Sequence, residues 1–176
     1  MKTNMFEYVT PVDHDYDLRY VAENMRRTDL IELKAEGCTS SPYSVLRSSC
    51  ALSDEVYTAL DTKAKCRTPI AIFGVGARYT KTTGYATVWL LGTPGLYARH
   101  NVTTFLRTSK LWMDYFADRY GTIGNAVHAE NIHSLRWLRW CGFRVVCNCF
   151  NPTTNELFYA LAREKKRRDT TACAQS

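Results

Sequence analysis

The chain has little of what makes proteins irregular, cross-linked or membrane-embedded. Nine glycines and five prolines among 176 residues exclude collagen-like repeats and low-complexity sequence. No apolar run approaches the ~20 residues of a membrane-spanning helix, and the longest stretch, Pro69 to Ala77, has about half that length. No C-x-x-C pair occurs among the seven cysteines, Cys38, Cys50, Cys66, Cys141, Cys147, Cys149 and Cys173. Their odd number and irregular spacing argue against a disulfide framework and against a zinc ribbon. His128, His133 and Cys141 match no standard zinc spacing either, so no metal is expected. Met1-Lys2-Thr3-Asn4 leads into no apolar signal core. A soluble protein of a reducing cytoplasm is therefore expected, its thiols serving as small core hydrophobes. Cys147 and Cys149 form only a C-x-C, which on a strand turns both side chains to one face.

Charge of one sign is also in modest excess. Twenty-three Lys+Arg against 17 Asp+Glu give +6, and the run Lys165, Lys166, Arg167 and Arg168 accounts for four of those six charges. Such a balance suits an anionic partner, including a phosphate-bearing cofactor, without the basic, aromatic-laced face of a nucleic-acid binder. Hydrophobic residues at 45% and aromatics at 12% are enough for one packed core, which excludes a disordered chain.

Apolar periodicity divides the chain into alternating elements. A short strand opens at Phe6–Thr10, and helical spacing over His14–Arg26 places Leu18, Val21, Ala22 and Met25 on one stripe, with Asp13 as its cap. Further helices are expected at Leu30–Ala35, stopped by Gly37, and at Tyr43–Leu52, opened by Ser41-Pro42. Strands follow at Val56–Asp61, Ile70–Val75 and Tyr85–Leu91, with Lys81-Thr82-Thr83-Gly84 as a hairpin loop. A long helix over Val102–Tyr120, ended by Gly121, precedes a strand at Asn125–Ala129. The helix Ile132–Cys141, ended by Gly142, and strands at Phe143–Phe150 and Leu157–Ala162 complete the order. An α/β sandwich with a mixed sheet is the architecture this order implies. One domain is expected over residues 4–163, followed by a basic and then polar tail, 164–176, read as a solvated end.

The segment Asn131-Ile132-His133-Ser134-Leu135-Arg136-Trp137-Leu138-Arg139-Trp140-Cys141-Gly142-Phe143 resembles the acetyl-CoA-dependent GNAT N-acetyltransferases. In that superfamily an Asn opens the helix and Gly-Phe enters the next strand, and the element order here is similar throughout. Three stretches, Arg27 to Gly37, Val88 to Thr93 and Asn131 to Phe143, also look like a family from short-tailed bacteriophages. That family includes a small internal virion protein and looks like diverged GNATs. The resemblance implies a mostly antiparallel, splayed sheet flanked by helices and a protein of the host cytoplasm or virion.

It also implies a site. Acetyl-CoA would lie along Leu90, Leu91 and Gly92, with its pantetheine arm against Asn131. Its phosphates would meet Arg99 and the backbone at Asn101, Val102 and Thr103, where the helix dipole is positive. The glycines of the family's phosphate motif are absent there, and Cβ atoms crowd the backbone. Seven residues after Asn131, where these enzymes often carry a proton-donating Tyr, stands Leu138. His128 and Glu130, alternate residues before the helix, are the candidate bases for deprotonating an amine. Trp137, at the edge of the stripe formed by Ser134, Leu138 and Cys141, reads as core, with a contact to adenine or pantetheine as the alternative.

Two functions remain open at this stage. One is an acetyltransferase acting on an amine of a host or phage target, its acceptor undefined. The other is a binding protein on the same scaffold, using Trp140, Arg136 and Arg139 to grip a host or virion protein.

Overall fold

The computed structural model describes residues 6–8, 15–77 and 84–165, with side chains from residue 15 onward. The expectations for Asp13, the 81–83 loop, Cys173 and the tail beyond Lys165 lie outside the described residues. Helices α1 (Asp15–Glu23), α2 (Arg27–Ala35) and α3 (Pro42–Leu52) follow strand β1 (Phe6–Tyr8). Strands β2 (Glu55–Leu60), β3 (Pro69–Gly76) and β4 (Ala86–Gly92) come next. A 3₁₀ turn, Pro94–Tyr97, leads into α4 (Arg99–Tyr120), then β5 (Ile123–His128), α5 (Ile132–Trp140), β6 (Arg144–Phe150) and β7 (Leu157–Arg163).

Local chemistry sets these boundaries. Ser41 caps α3 by accepting from the Ser44 amide at 3.2 Å, and Pro42 takes the first helical position, where no N–H is needed. Asn131 caps α5 in the same way, its Oδ1 accepting from the Ser134 amide at 3.2 Å. Gly121, at φ 80°, ends α4 in the left-handed region that favours glycine. The 3₁₀ turn and the earlier start of α4 were not legible as apolar period, because Thr93 and Pro94 build that turn by capping: Thr93 Oγ1 accepts from the Gly95 amide.

The strands form one seven-stranded sheet in the order β1-β2-β3-β4-β5-β7-β6. Every pairing is antiparallel except β4 with β5. This is the mixed sheet that the element order implies, and the mostly antiparallel one flanked by helices that the resemblance implies. Alternation along the strands sends side chains to two cores. Val56 and Ile72 pack under α1 and α3 against Leu18, Val21, Leu46 and Cys50. Phe73, Val75, Val88, Ile123, Val127 and Leu161 pack under α4 and α5 against Met113, Phe116, Leu138 and Cys141. Cys50 and Cys141 are core hydrophobes as expected, and burial pushes each thiol up to about 11, but Cys66, Cys147 and Cys149 are exposed, against that expectation. Among the described helices none is long and apolar enough to cross a membrane.

The far half of α4 is pinned to the sheet by a carboxylate. Glu55 accepts from Tyr57 at 2.6 Å, Tyr115 at 3.0 Å and Tyr120 at 2.7 Å, and pairs with Arg119 at 3.0 Å. Burial opposes its charge, but the phenol donors and then Arg119 outweigh that cost and hold the carboxyl below its usual value. A carboxyl lowered in the folded state contributes stability that is present above its unfolded pKa and lost as pH falls through the folded one. Glu55→Gln should therefore lower stability at neutral pH and shrink the acid-side loss of stability, read by urea unfolding across pH. Equal unfolding curves for the two proteins at neutral pH would contradict this account. Phe116, fully buried among Tyr57, Phe73 and Trp112, should cost about 3–5 kcal/mol when cut to Ala.

Candidate functional site

The pairing of β4 with β5 stops almost as soon as it starts. Ala86 pairs with Ile123 and Thr87 with Gly124, and from there the strands diverge. Gly124 is the last residue of β5 that pairs with β4, and a Cβ there would sit 2.6 Å from the Tyr85 ring that covers it. Ala86 donates to the Thr122 carbonyl, and Gly92 uses its N–H and C=O away from β3. By the alternation of an antiparallel ladder, the Leu90 N–H and C=O between them face the gap as well. A cavity of about 160 Å³ occupies that gap, lined by Leu90 and Ala126 of the two strands, by Phe105 and Ser109 of α4, by Ser134 and Trp137 of α5, and by α2.

Helix α2 contributes carboxylates to both arms of the split. Asp29 accepts from the Gly92 amide at 2.8 Å, and the Arg26 amide donates to the Gly92 carbonyl at 2.9 Å. Asp29 is in turn held by a two-pronged pair with Arg26, at 2.8 and 2.7 Å, both side chains being buried. Arg26 reaches on to the Tyr97 hydroxyl at 2.7 Å. On the other arm, Glu32 accepts from the His128 amide at 2.9 Å and from Asn131 Nδ2. Burial is the main cause that raises the Glu32 carboxyl, opposed by those two donors and reinforced by the Asp29 charge. Glu36 lines the rim of the same cavity. It remains exposed there, while the protein packed around it and the Glu32 charge push its carboxyl up to about 7.

On the opposite side the cavity continues into a largely apolar groove of about 400 Å³ between the start of α4 and α5. Tyr97, Val102, Leu106, His133, Trp137 and Trp140 line it. The Trp137 indole stacks on Phe105 at 5.5 Å and donates to Ser109 Oγ at 3.0 Å, so it is both a strut between the two helices and a wall of the groove. Arg99 stands exposed at the first position of α4.

The expected site residues fall into two groups. Leu90, Leu91, Trp137 and Asn131 surround or border the split; Val102 lines the groove. Gly92 is at the split too, with its amide already given to Asp29. Asn101, expected at the phosphates, is instead fully buried. Its side chain donates to Asp61 at 3.1 Å and to the Gly95 carbonyl at 3.0 Å. The Asn101 and Val102 amides donate to the Ala98 carbonyl, and Thr103 lies within the helix, so the open first-turn donors are those of Arg99 and His100. Asp61 also pairs with His100 at 2.9 Å, placing a negative charge at that helix start.

The expected base pair is not assembled. Glu130 is exposed in the turn after β5, and neither it nor His128 lines the cavity. The His128 ring packs on Phe158 and bonds Glu156 at 3.1 Å; its contribution to the split is its backbone amide. The carboxylates that do reach the cavity, Asp29, Glu32 and Glu36, were missed by sequence reasoning. Their signal was inverted amphipathicity: in α2 the acids Asp29 and Glu32 face inward while Leu30 and Ile31 are exposed. Among the described residues no group of three or more His, Cys, Asp or Glu is placed to hold a metal ion.

No family model matches the chain, and no curated protein does. Solved structures do resemble it. A GNAT-family acetyltransferase from Bacillus anthracis superposes with a TM-score of 0.65 at 12% identity, over 93% of this chain and 97% of that one. Spermidine N-acetyltransferase from Vibrio cholerae, solved with CoA and spermine, gives 0.63 at 14% identity over 92% and 96%. A GNAT phosphinothricin acetyltransferase from Sinorhizobium meliloti, solved with AcCoA, gives 0.64 at 13% identity over 91% and 87%. The chain has the GNAT fold.

Proposed function

We propose that this chain is an N-acyltransferase that passes an acetyl group from acetyl-CoA to an amine. The observation that carries the reading is the split between β4 and β5, open on one side to an apolar groove and lined on the other by carboxylates. The residues present suit a thioester arm: Leu90 offers a free strand edge, while Phe105, Ser134 and Trp137 shape the passage. Arg99, with its own amide and that of His100, would hold the phosphates, at a helix start that Asp61 partly neutralises. Acetyl-CoA supplies an activated carbonyl, to which the amine nitrogen bonds as the carbon–sulfur bond breaks and the sulfur leaves with a proton.

Glu32 is the base this geometry favours. An ammonium ion has no lone pair, and a carboxylate with a raised pKa takes its proton more readily at neutral pH than an ordinary one. Two neutral donors fix Glu32 in place and leave acceptor capacity toward the cavity. Arg26, already committed to Asp29, leaves the Glu32 charge unpaired and attractive to a cationic acceptor. Leu138, buried in the core, supplies no proton to the departing sulfur.

A second reading has its own support. Asp29 and Glu32 already satisfy the Gly92 amide and Asn131, groups the resemblance assigns to cofactor. A scaffold that binds a host or virion protein without catalysis would keep such internal bonds, and exposed Trp140 beside Arg136 and Arg139 offers it an anchor. The similar structures named above lend no support to the phage resemblance on which that partner rests.

Calorimetry with acetyl-CoA separates the two readings: heat of binding is expected, and a folded protein that gives none at millimolar ligand ends the enzyme reading. Given activity, Glu32→Gln should lower kcat/KM by about 10²–10⁴ with little change in acetyl-CoA affinity. The wild-type rate should climb as pH rises through the raised Glu32 pKa, since the base must be ionised, and the variant should lose that limb. Asp29→Ala strands the buried Arg26 charge and the Gly92 amide, so it should cost about 3–5 kcal/mol in urea unfolding.

A further inference from the structure

Strand β6 closes the sheet on one side, and all seven of its residues are exposed. Val146 is 59% and Phe150 64% exposed, an unusual apolar load for a sheet edge. Natural edges are guarded by Lys, Pro, inward charges or bulges, and the one irregularity of this edge is at Val146. Here the only charge is Arg144, at the strand's start, beside the irregularity between Val145 and Cys147. The stretch Cys147–Phe150 is regular and unguarded.

The phase of the ladder tells which groups point outward. The Asn151 amide donates to the Glu156 carbonyl at 2.9 Å, and the register continues through Cys149 with Phe158 and Cys147 with Ala160. The backbone groups of Cys147 and Cys149 therefore bond β7, and those of Asn148 and Phe150 face away from the sheet. We propose that a second copy of this chain pairs with that edge, antiparallel, about a two-fold axis at Asn148.

The side chains select the partner and the register. With the axis at Asn148, amide meets amide, Val146 meets Phe150 of the other copy, and Cys147 meets Cys149, while no like charges are opposed. Moving the axis to Cys149 would put Asn148 against Phe150. A partner edge of different sequence would lose this match of like with like. The Cys147–Cys149 contacts fall on non-hydrogen-bonded pairs, where Cα atoms approach to about 4.5 Å. That spacing lies in the disulfide range of roughly 4.4–6.8 Å. Both thiols are exposed and free.

The full chain should run in light scattering at twice its 20.2 kDa mass. The double variant V146K/F150K should return to the single mass with an unchanged circular dichroism spectrum. A wild-type monomer at every concentration overturns the proposal, and so does a dimer that the double variant leaves intact. The register has its own test in a background with Cys38, Cys66 and Cys173 changed to Ser. Diamide removes two thiol hydrogens, becoming the hydrazine, as one disulfide forms. It should cross-link the parent into a dimer, and should fail with C147S or C149S alone. An equal mixture of C147S and C149S should regain the cross-link, because one copy then supplies each thiol. A cross-linked dimer of either single variant alone places the axis elsewhere and overturns the register.

Discussion

Two adjacent strands that stop pairing leave peptide groups in the middle of a sheet with nothing to bond. Beyond Thr87 and Gly124 that is the condition of β4 and β5, and a buried N–H without an acceptor costs roughly 1–3 kcal/mol. The chain meets the demand from α2. Asp29 takes the Gly92 amide on one arm, Glu32 takes the His128 amide on the other, and the Arg26 backbone serves the Gly92 carbonyl. The placement of α2, the buried Arg26–Asp29 pair and the reach of Arg26 to Tyr97 all follow from closing this one gap. Leu90, midway along the open edge, is where the closure stops, and the cavity lies there.

The same solution sets the electrostatics. Asp29 is neutralised by a guanidinium, so its burial brings no net charge. Glu32 receives hydrogen bonds only from neutral donors in a half-buried place, and the charge of Arg26 reaches it only weakly, through space. Desolvation then outweighs the hydrogen bonds and raises its carboxyl, the Asp29 charge adds to that, and the Glu32 charge in turn raises Glu36. What satisfies the unpaired amides of the split and what sets its charge are one pair of side chains, Asp29 and Glu32.

Much of the fold was readable from apolar period because the central strand β3 is buried on two faces and helices such as α1 and α4 carry one clear stripe. Ile70 to Val75, Leu18 with Val21, and Phe116 fell where their spacing put them. The site was less readable, because its residues obey local bonding rather than period. Asn131 was legible as a helix cap, and its Nδ2 partner was not, since Glu32 lies 99 residues away. His128 and Glu130 were placed on a common face by alternation. That alternation ends at His128, where the strand stops and Glu130 turns out to solvent. In α2 the usual rule of apolar-inward failed outright, as a helix facing an unpaired strand edge must present acceptors, not methyl groups.

The start of α4 shows how the glycine-free sequence changes what an anion would meet. A glycine cradle binds phosphate through amides that lie bare at the surface. Here the 3₁₀ turn and Asn101 fasten that backbone from within, to Gly95 and Asp61, and the Asn101 and Val102 amides are consumed by Ala98. A phosphate would be held mainly by the exposed Arg99 guanidinium, against the opposing charge of Asp61. Surface ion pairs of that kind are screened within ~10 Å at moderate salt, whereas amide cradles are short-range and partly sheltered. The coenzyme grip proposed above would accordingly shift its weight from the phosphates to the arm, where Leu90, Phe105 and Trp137 line a largely apolar passage.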